Sequence, residues 1–234
     1  MASVTLHNLY RRNGTVTRRM PSVYSKTLKN YVQQVGRILW AWNRLHGALG
    51  DAFAFVISPG DMTPARAVWH AVKADTAQRD MLRALLVNTP GIPSQLSEAL
   101  EWLLDVSGKL SQHRNDVAHV PMAQAIEAGK IEVIPDMFSG DPARVDRLAR
   151  PDRKAFHKKL QGDVISLSYY ARAVASEIGL LMQTPSRPWT LPNRPRLRSI
   201  PPSEVPLTRS QKDRQRMRRE RKHRQRASRQ KGRR

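Results

Sequence analysis

Apolar residues recur every three or four positions over four long stretches of the chain, a pattern typical of helices that bury one face. The first stretch runs from about Thr27 to Ile57 and is ended by Ser58-Pro59-Gly60. The second begins at Thr63, with a proline in its first turn, and continues to Thr89-Pro90-Gly91. The spacing predicts one continuous helix in each stretch.

The third stretch begins near Ser94 and continues through His119, just before a proline that disfavours further helix. The fourth spans about Asp152 to Met182. Between them, residues 121–150 change character: Lys130–Ile134 alternates like a short strand, and the rest resembles a loop. We therefore predict an all-α bundle of four long helices with a small β/loop insertion.

Composition shifts divide the chain into four parts. Residues 1–24 are predicted to form a flexible basic arm, and residues 25–184 the helical bundle domain. Seven prolines between 185 and 208 predict an extended, semi-rigid linker. Residues 209–234 form an Arg-rich tail, which we expect to be disordered when nothing is bound to it.

The positive charge is concentrated at the two ends of the chain. Of the net +22, residues 209–234 carry +12 and residues 1–30 carry +6, so the middle of the chain is nearly neutral. Basic arms attract polyanions by counterion release and long-range steering. The tail is therefore predicted to bind nucleic acid, with a merely solubilising tail as the alternative. The candidate nucleic-acid-binding residues are Arg209, Lys212, Arg214, Arg216, Arg218, Arg219, Arg221 and Lys222.

Several classes of protein are disfavoured by what the sequence lacks. With no cysteine there are no disulfides and no thiolate metal sites. No stretch approaches the roughly 20 apolar residues of a membrane span. Neither a phosphate-binding glycine loop nor an H-E-x-x-H zinc motif occurs. We expect a cytoplasmic protein without a metal or cofactor and without a membrane partner.

The run Arg114-Asn115-Asp116-Val117-Ala118-His119 carries the candidate chemistry. Metal-free RNA cleavage must deprotonate a ribose 2′-hydroxyl and stabilise charge on phosphorus. Histidine, which titrates near neutrality, suits the first task, and arginine suits the second. Asn115 and His119 share a helix face, whereas Arg114 and His119 point roughly 140° apart. A dimer that pairs two such helix ends would bring the two groups together.

Arg114-Asn115-x-x-Ala118-His119 resembles the R-x(4–6)-H motif of the HEPN superfamily, in which a polar residue often follows the arginine. The resemblance implies a bundle of four main helices with the motif at the end of the third. It also implies a homodimer with a composite cleft and metal-independent endoribonuclease activity in toxin, defence or RNA-processing systems. In that case His119 would activate the 2′-hydroxyl, Arg114 would bind the scissile phosphate and Asn115 would orient one of them. Such a toxin could also have an antitoxin or another protein as its partner.

Other interpretations of these residues stay open on the sequence alone. Other members of the superfamily are inactive, so the chain could be a silent helical module that binds nucleic acid or a protein through its basic tail. Arg114 and Asp116 could be solvated charges at a helix end, with His119 interacting with the helix dipole. His70 and Arg79 could form a second wall of the cleft or an ordinary exposed face. His46 is expected to be a surface or core residue, and Asp75 is expected to pair with Arg79.

Overall fold

The computed structural model describes residues 22–119, 122–127, 130–135, 142–149 and 152–207, together with residues 211 and 217. Six helices and one β-hairpin lie in these ranges. They are α1 (Ser22–Ile57), α2 (Thr63–Ala71), α3 (Asp75–Asn88), α4 (Ser94–His119), β1 (Met122–Glu127), β2 (Lys130–Pro135), α5 (Pro142–Leu148) and α6 (Arg153–Gln183). The predicted all-α class is confirmed. The predicted arm, up to residue 21, and all eight candidate tail residues lie outside the described part of the chain.

The core is built on α1 and α6, which form the most extensive helix–helix contact and run parallel. Their parallel course follows from their contacts: Tyr31 lies beside His157 near one end, and Phe55 packs on Gly179 near the other. A Cβ on Gly179 would lie 2.8 Å from the Phe55 ring, so glycine is needed for this close approach. Helix α4 runs antiparallel to α6, and Trp102 packs edge-on against Tyr170.

The predicted second helix is in fact two, α2 and α3, separated by extended backbone at Val72 and Ala74. Trp69, at the end of α2, is fully buried against Gly50 and Phe53 of α1. The carbonyl oxygen of Trp69 accepts a hydrogen bond from Gln78 Nε2 at 2.9 Å, which replaces an intrahelical bond at the break. The break redirects the chain, so that α3 packs along α4.

The insertion between α4 and α6 contains more regular structure than predicted. The expected strand at Lys130–Ile134 is confirmed, but it pairs antiparallel with β1, which was predicted as loop. Helix α5 was also missed. It is fixed to α4 by Asp116, whose buried carboxylate accepts hydrogen bonds from Arg147 at 2.7 and 2.9 Å and lies 3.3 Å from Arg144 Nε. The insertion is therefore attached to the last turns of α4.

Residues 185–207, which we call the strap, lie in the segment that was predicted to be an extended, semi-rigid linker. They have little regular structure, as the prolines predict, but they lie against the bundle. Leu197 and Ile200 are buried in the core. The buried carboxylate of Asp163 on α6 accepts hydrogen bonds from the backbone N–H of Arg198 and of Ser199, at 2.6 to 3.0 Å. The strap is therefore part of the folded domain.

Candidate functional site

Helix α4 carries the whole Arg114–His119 run in its last turns and remains helical through His119. The rise and twist of an α-helix therefore separate Arg114 and His119 by about 7.5 Å along the axis and roughly 140° around it. Arg114 faces α1 and α3, whereas His119 is exposed and Asn115 is half-buried. A single chain thus directs the cation and the imidazole of the motif to different surfaces.

Arg114 is held firmly at the junction of α1, α3 and α4. Its Nη2 forms an ion pair with Asp75 Oδ2, at the start of α3. Its guanidinium carbon lies 5.0 Å from the centre of the Trp42 ring, in cation–π geometry. Only 15% of the Arg114 side chain is exposed, so these two contacts fix its position.

A second imidazole, that of His46 on α1, lies in the same cluster. Its Nε2 is 3.7 Å from Asp75 Oδ1, so the carboxylate lies between His46 and Arg114. His46 Nδ1 is 3.1 Å from Gln78 Oε1, and the amide nitrogen of Gln78 is already donating to the Trp69 carbonyl. Gln78 therefore presents an acceptor, and in neutral His46 the proton sits on Nδ1 and the lone pair on Nε2 faces Asp75.

His46 and Asp75 are the parts of the site that sequence reasoning missed. They lie on α1 and α3, far from the motif in sequence, and reach Arg114 only through the packing of three helices. The helical spacing did contain one signal. His46 follows Trp42 by four residues, and the centres of the two rings lie 5.1 Å apart in a tilted arrangement.

Burial lowers the pKa of His46 below its ordinary value, an effect that Asp75 only partly offsets. The unfolded chain binds a proton near pH 6.5, whereas folded His46 binds it only at lower pH. The contribution of His46 to the free energy of unfolding is therefore fully present above pH 6.5 and is lost as the pH falls below that value. We predict that His46→Gln flattens this dependence, by at most about 1.4 kcal/mol per pH unit.

The measurement is urea unfolding of the wild type and of His46→Gln at pH 7.5 and at pH 5.5. The stability advantage of the wild type should be larger at pH 7.5 than at pH 5.5. An advantage that is equal at the two pH values, or that grows on acidification, would show that folding does not lower the pKa of His46.

Arg79 adds a second cation to the cluster, and its location corrects two expectations. Its side chain is buried, with 6% exposed, so it does not form an exposed wall with His70, which is exposed on α2. Arg79 donates to Thr76 Oγ1 at 3.2 Å, while Asp75 pairs with Arg114 rather than with Arg79. Burial lowers the pKa of Arg79, and Asp75 partly offsets this effect.

The cluster has more hydrogen-bond donors than acceptors. In this cluster, four buried side-chain nitrogens have no hydrogen-bond partner: Trp42 Nε1, His46 Nε2, Arg79 Nη1 and Arg114 Nε. Three of them carry a proton in every state of the protein near neutral pH. Arg79 and Arg114 share Asp75 as their nearest acid, so the cluster has an electropositive character.

The interpretation of Arg114 and Asp116 as solvated helix-end charges is wrong. Both are buried or nearly so, and each has a specific ionic partner on another helix. His119 differs, since it lies exposed in the last turn of α4, in the half of the helix surface that also carries Asn115. The motif thus combines two residues that fix α4 in the bundle with one that is open to solvent.

No three His, Asp or Glu side chains in the described ranges group so as to hold a metal ion. None of the helices in these ranges has the length and apolar character needed to cross a membrane.

Comparison of the chain with protein-family models, with curated proteins and with solved structures found no significant match. What the chain does is therefore inferred from the geometry of the Arg114 cluster and from the resemblance of the Arg114–His119 run to the HEPN motif.

Proposed function

We propose that the chain is a metal-independent endoribonuclease of HEPN type, acting as a homodimer. One observation carries the proposal. His119 is exposed at the end of α4, and Arg114, on the same helix, is held in place by Asp75 and Trp42. An accessible base and a preorganised cation are the two groups that the reaction requires.

The proposed reaction uses the 2′-hydroxyl of the RNA as the nucleophile. His119 takes the 2′-hydroxyl proton, and the 2′-oxygen attacks the adjacent phosphorus. The bond from phosphorus to the 5′-oxygen breaks, and that oxygen takes up a proton as it leaves. Arg114 stabilises the negative charge on the phosphoryl oxygens, and Asn115 orients His119 or the phosphate. The products are a 2′,3′-cyclic phosphate and a 5′-hydroxyl.

The divergence of Arg114 and His119 supports a site shared by two chains. Because the two side chains leave α4 roughly 140° apart, a single helix end does not focus them on one phosphodiester. If two copies of α4 met end to end, Arg114 of one chain could face His119 of the other. An isologous contact of this kind produces two equivalent sites in a two-fold dimer.

The same site favours a second candidate, a silent module that binds nucleic acid or a partner protein through its basic tail. The observation behind it is the ion pair of Arg114, which leaves little of this side chain exposed and serves the packing of α3 on α4. In that case Arg114 would be structural, and the tail cations would account for any RNA binding.

One experiment separates the two candidates. Purified full-length protein is incubated with RNA in EDTA, and the products are examined for a 2′,3′-cyclic phosphate. Cleavage that is lost in Arg114→Ala, with the helical circular dichroism retained, supports the nuclease. If RNA stays intact, and its affinity falls strongly when the eight candidate tail cations are changed to glutamine, the chain is the binding module.

A further inference from the structure

Two exposed aromatic rings, Trp40 on α1 and Tyr169 on α6, lie on the outer surface where these two helices meet. Arg44 on α1 lies between two aromatic side chains, with its guanidinium carbon 4.8 Å from the centre of the Trp40 ring and 4.9 Å from that of Tyr169. Trp40 is 57% exposed and Tyr169 is 58% exposed. Trp42 and Trp69 are buried, with 3% and 1% exposed, whereas Trp40 and Tyr169 expose more than half of their surface.

Exposed cations line the same side of both helices. Helical spacing places Lys26 and Arg37 on the face of α1 that carries Arg44, and Lys154, Lys158 and Arg172 on the face of α6 that carries Tyr169. We call this surface, with Trp40, Arg44 and Tyr169 at its centre, the α1–α6 seam. From Lys26 to Arg44 it extends roughly 27 Å along α1.

Acidic residues do little to neutralise the seam. Asp51 is the single acid within α1, and it is paired with Arg66 of α2 at 2.7 Å. Of the two acids within α6, Asp163 is buried under the strap and Glu177 is half-buried. The seam therefore presents stacking surfaces inside a strongly positive field.

We propose that the α1–α6 seam binds single-stranded nucleic acid, with bases stacked on Trp40 and Tyr169 and phosphates on the flanking cations. Aromatic faces that accept any base, placed in a basic groove, are the features of sequence-tolerant single-strand binding. Arg44 adds cation–π contact and a charge at the same point. The seam contains none of the candidate tail cations and neither Arg114 nor His119, and the proposal holds whether or not the chain cleaves RNA.

Charge and shape disfavour two other occupants. A second copy of this chain would bring like charges together, which opposes self-association through the seam. A membrane surface is bound by a helix that presents a broad apolar face beside its cations. At the centre of the seam there are two rings with an arginine between them.

The test compares two probes, a fluorescent oligothymidylate and an abasic deoxyribose-phosphate oligomer of the same length. Neither has a 2′-hydroxyl, so neither is cut by the proposed reaction. A tail that binds phosphates will bind both probes alike, whereas only the first probe can stack. We expect the full-length wild type to prefer the probe with bases. Trp40→Ala with Tyr169→Ala should bind that probe at least about 30-fold more weakly, down to the affinity for the abasic probe. Binding of the abasic probe should be unchanged.

Two control variants complete the design. Trp40→Phe should retain the preference for bases, since phenylalanine also stacks. Val87→Ala removes a large apolar side chain that is 81% exposed on α3 and should bind like the wild type. The proposal is overturned if the double variant still prefers bases, or if Trp40→Ala changes the oligomeric state with no effect on base preference. Tighter Trp40-dependent binding to phosphatidylserine vesicles than to the oligothymidylate would also overturn it.

Discussion

His119→Ala is expected to slow RNA cleavage by roughly 100- to 10,000-fold, the usual contribution of a positioned general acid or base. His119 is exposed in the last turn of α4, so its removal leaves no cavity and should not change the free energy of unfolding appreciably. The measurement is the single-turnover rate of RNA cleavage in EDTA, with a urea unfolding curve for each variant.

The matched control is His70→Ala, which removes another exposed histidine, from α2. It should cleave at the wild-type rate. If His119→Ala also keeps the wild-type rate, His119 is not the base. A rate that is instead lost in His46→Gln would assign that role to the imidazole beside Asp75.

Asp75→Asn is expected to lower the free energy of unfolding by about 2–3 kcal/mol. The change leaves Arg114 without its ionic partner in a site where only 15% of that side chain is exposed, and it leaves Arg79 and Arg114 facing each other. Breaking a fully buried pair costs about 3–5 kcal/mol, and the partial exposure of Asp75 reduces this value. Asp75 also lies in the first turn of α3, where a negative charge interacts favourably with the helix dipole.

Asp80→Asn provides the control on the same helix. Asp80 pairs with Arg83 at 3.0 Å, but it is 62% exposed, and Arg83 also contacts Asp105. Its loss should cost no more than about 1 kcal/mol. Urea unfolding of both variants at pH 7.5 makes the comparison. Equal losses in the two variants would mean that the Asp75 cluster contributes no more than a surface ion pair.

Hydrophobic periodicity was sufficient to locate the long helices. The predicted starts and ends of the third and fourth stretches lie within one residue of α4 and α6, because capping residues and prolines mark them locally. Helix α1 begins five residues earlier than predicted. The all-α class followed from these elements alone.

Features that depend on tertiary contacts were not predictable in the same way. The break between α2 and α3 is stabilised by a bond from Gln78 to the Trp69 carbonyl. The strap was predicted to be a semi-rigid linker because its prolines are visible in the sequence. The carboxylate that holds it, Asp163, lies on α6, and no local pattern pairs it with the strap. His46 and Asp75 likewise reach Arg114 only in the folded chain.

The most direct test of the composite site is to mix two inactive variants, Arg114→Ala and His119→Ala, after joint unfolding and refolding. If Arg114 of one chain acts with His119 of its partner, half of the dimers will be mixed. Each mixed dimer will then hold one intact pair, giving about a quarter of the wild-type cleavage rate. If the wild type cleaves RNA but the mixture shows no recovery, the site is not shared between chains. If the wild type leaves RNA intact, the chain is not a nuclease.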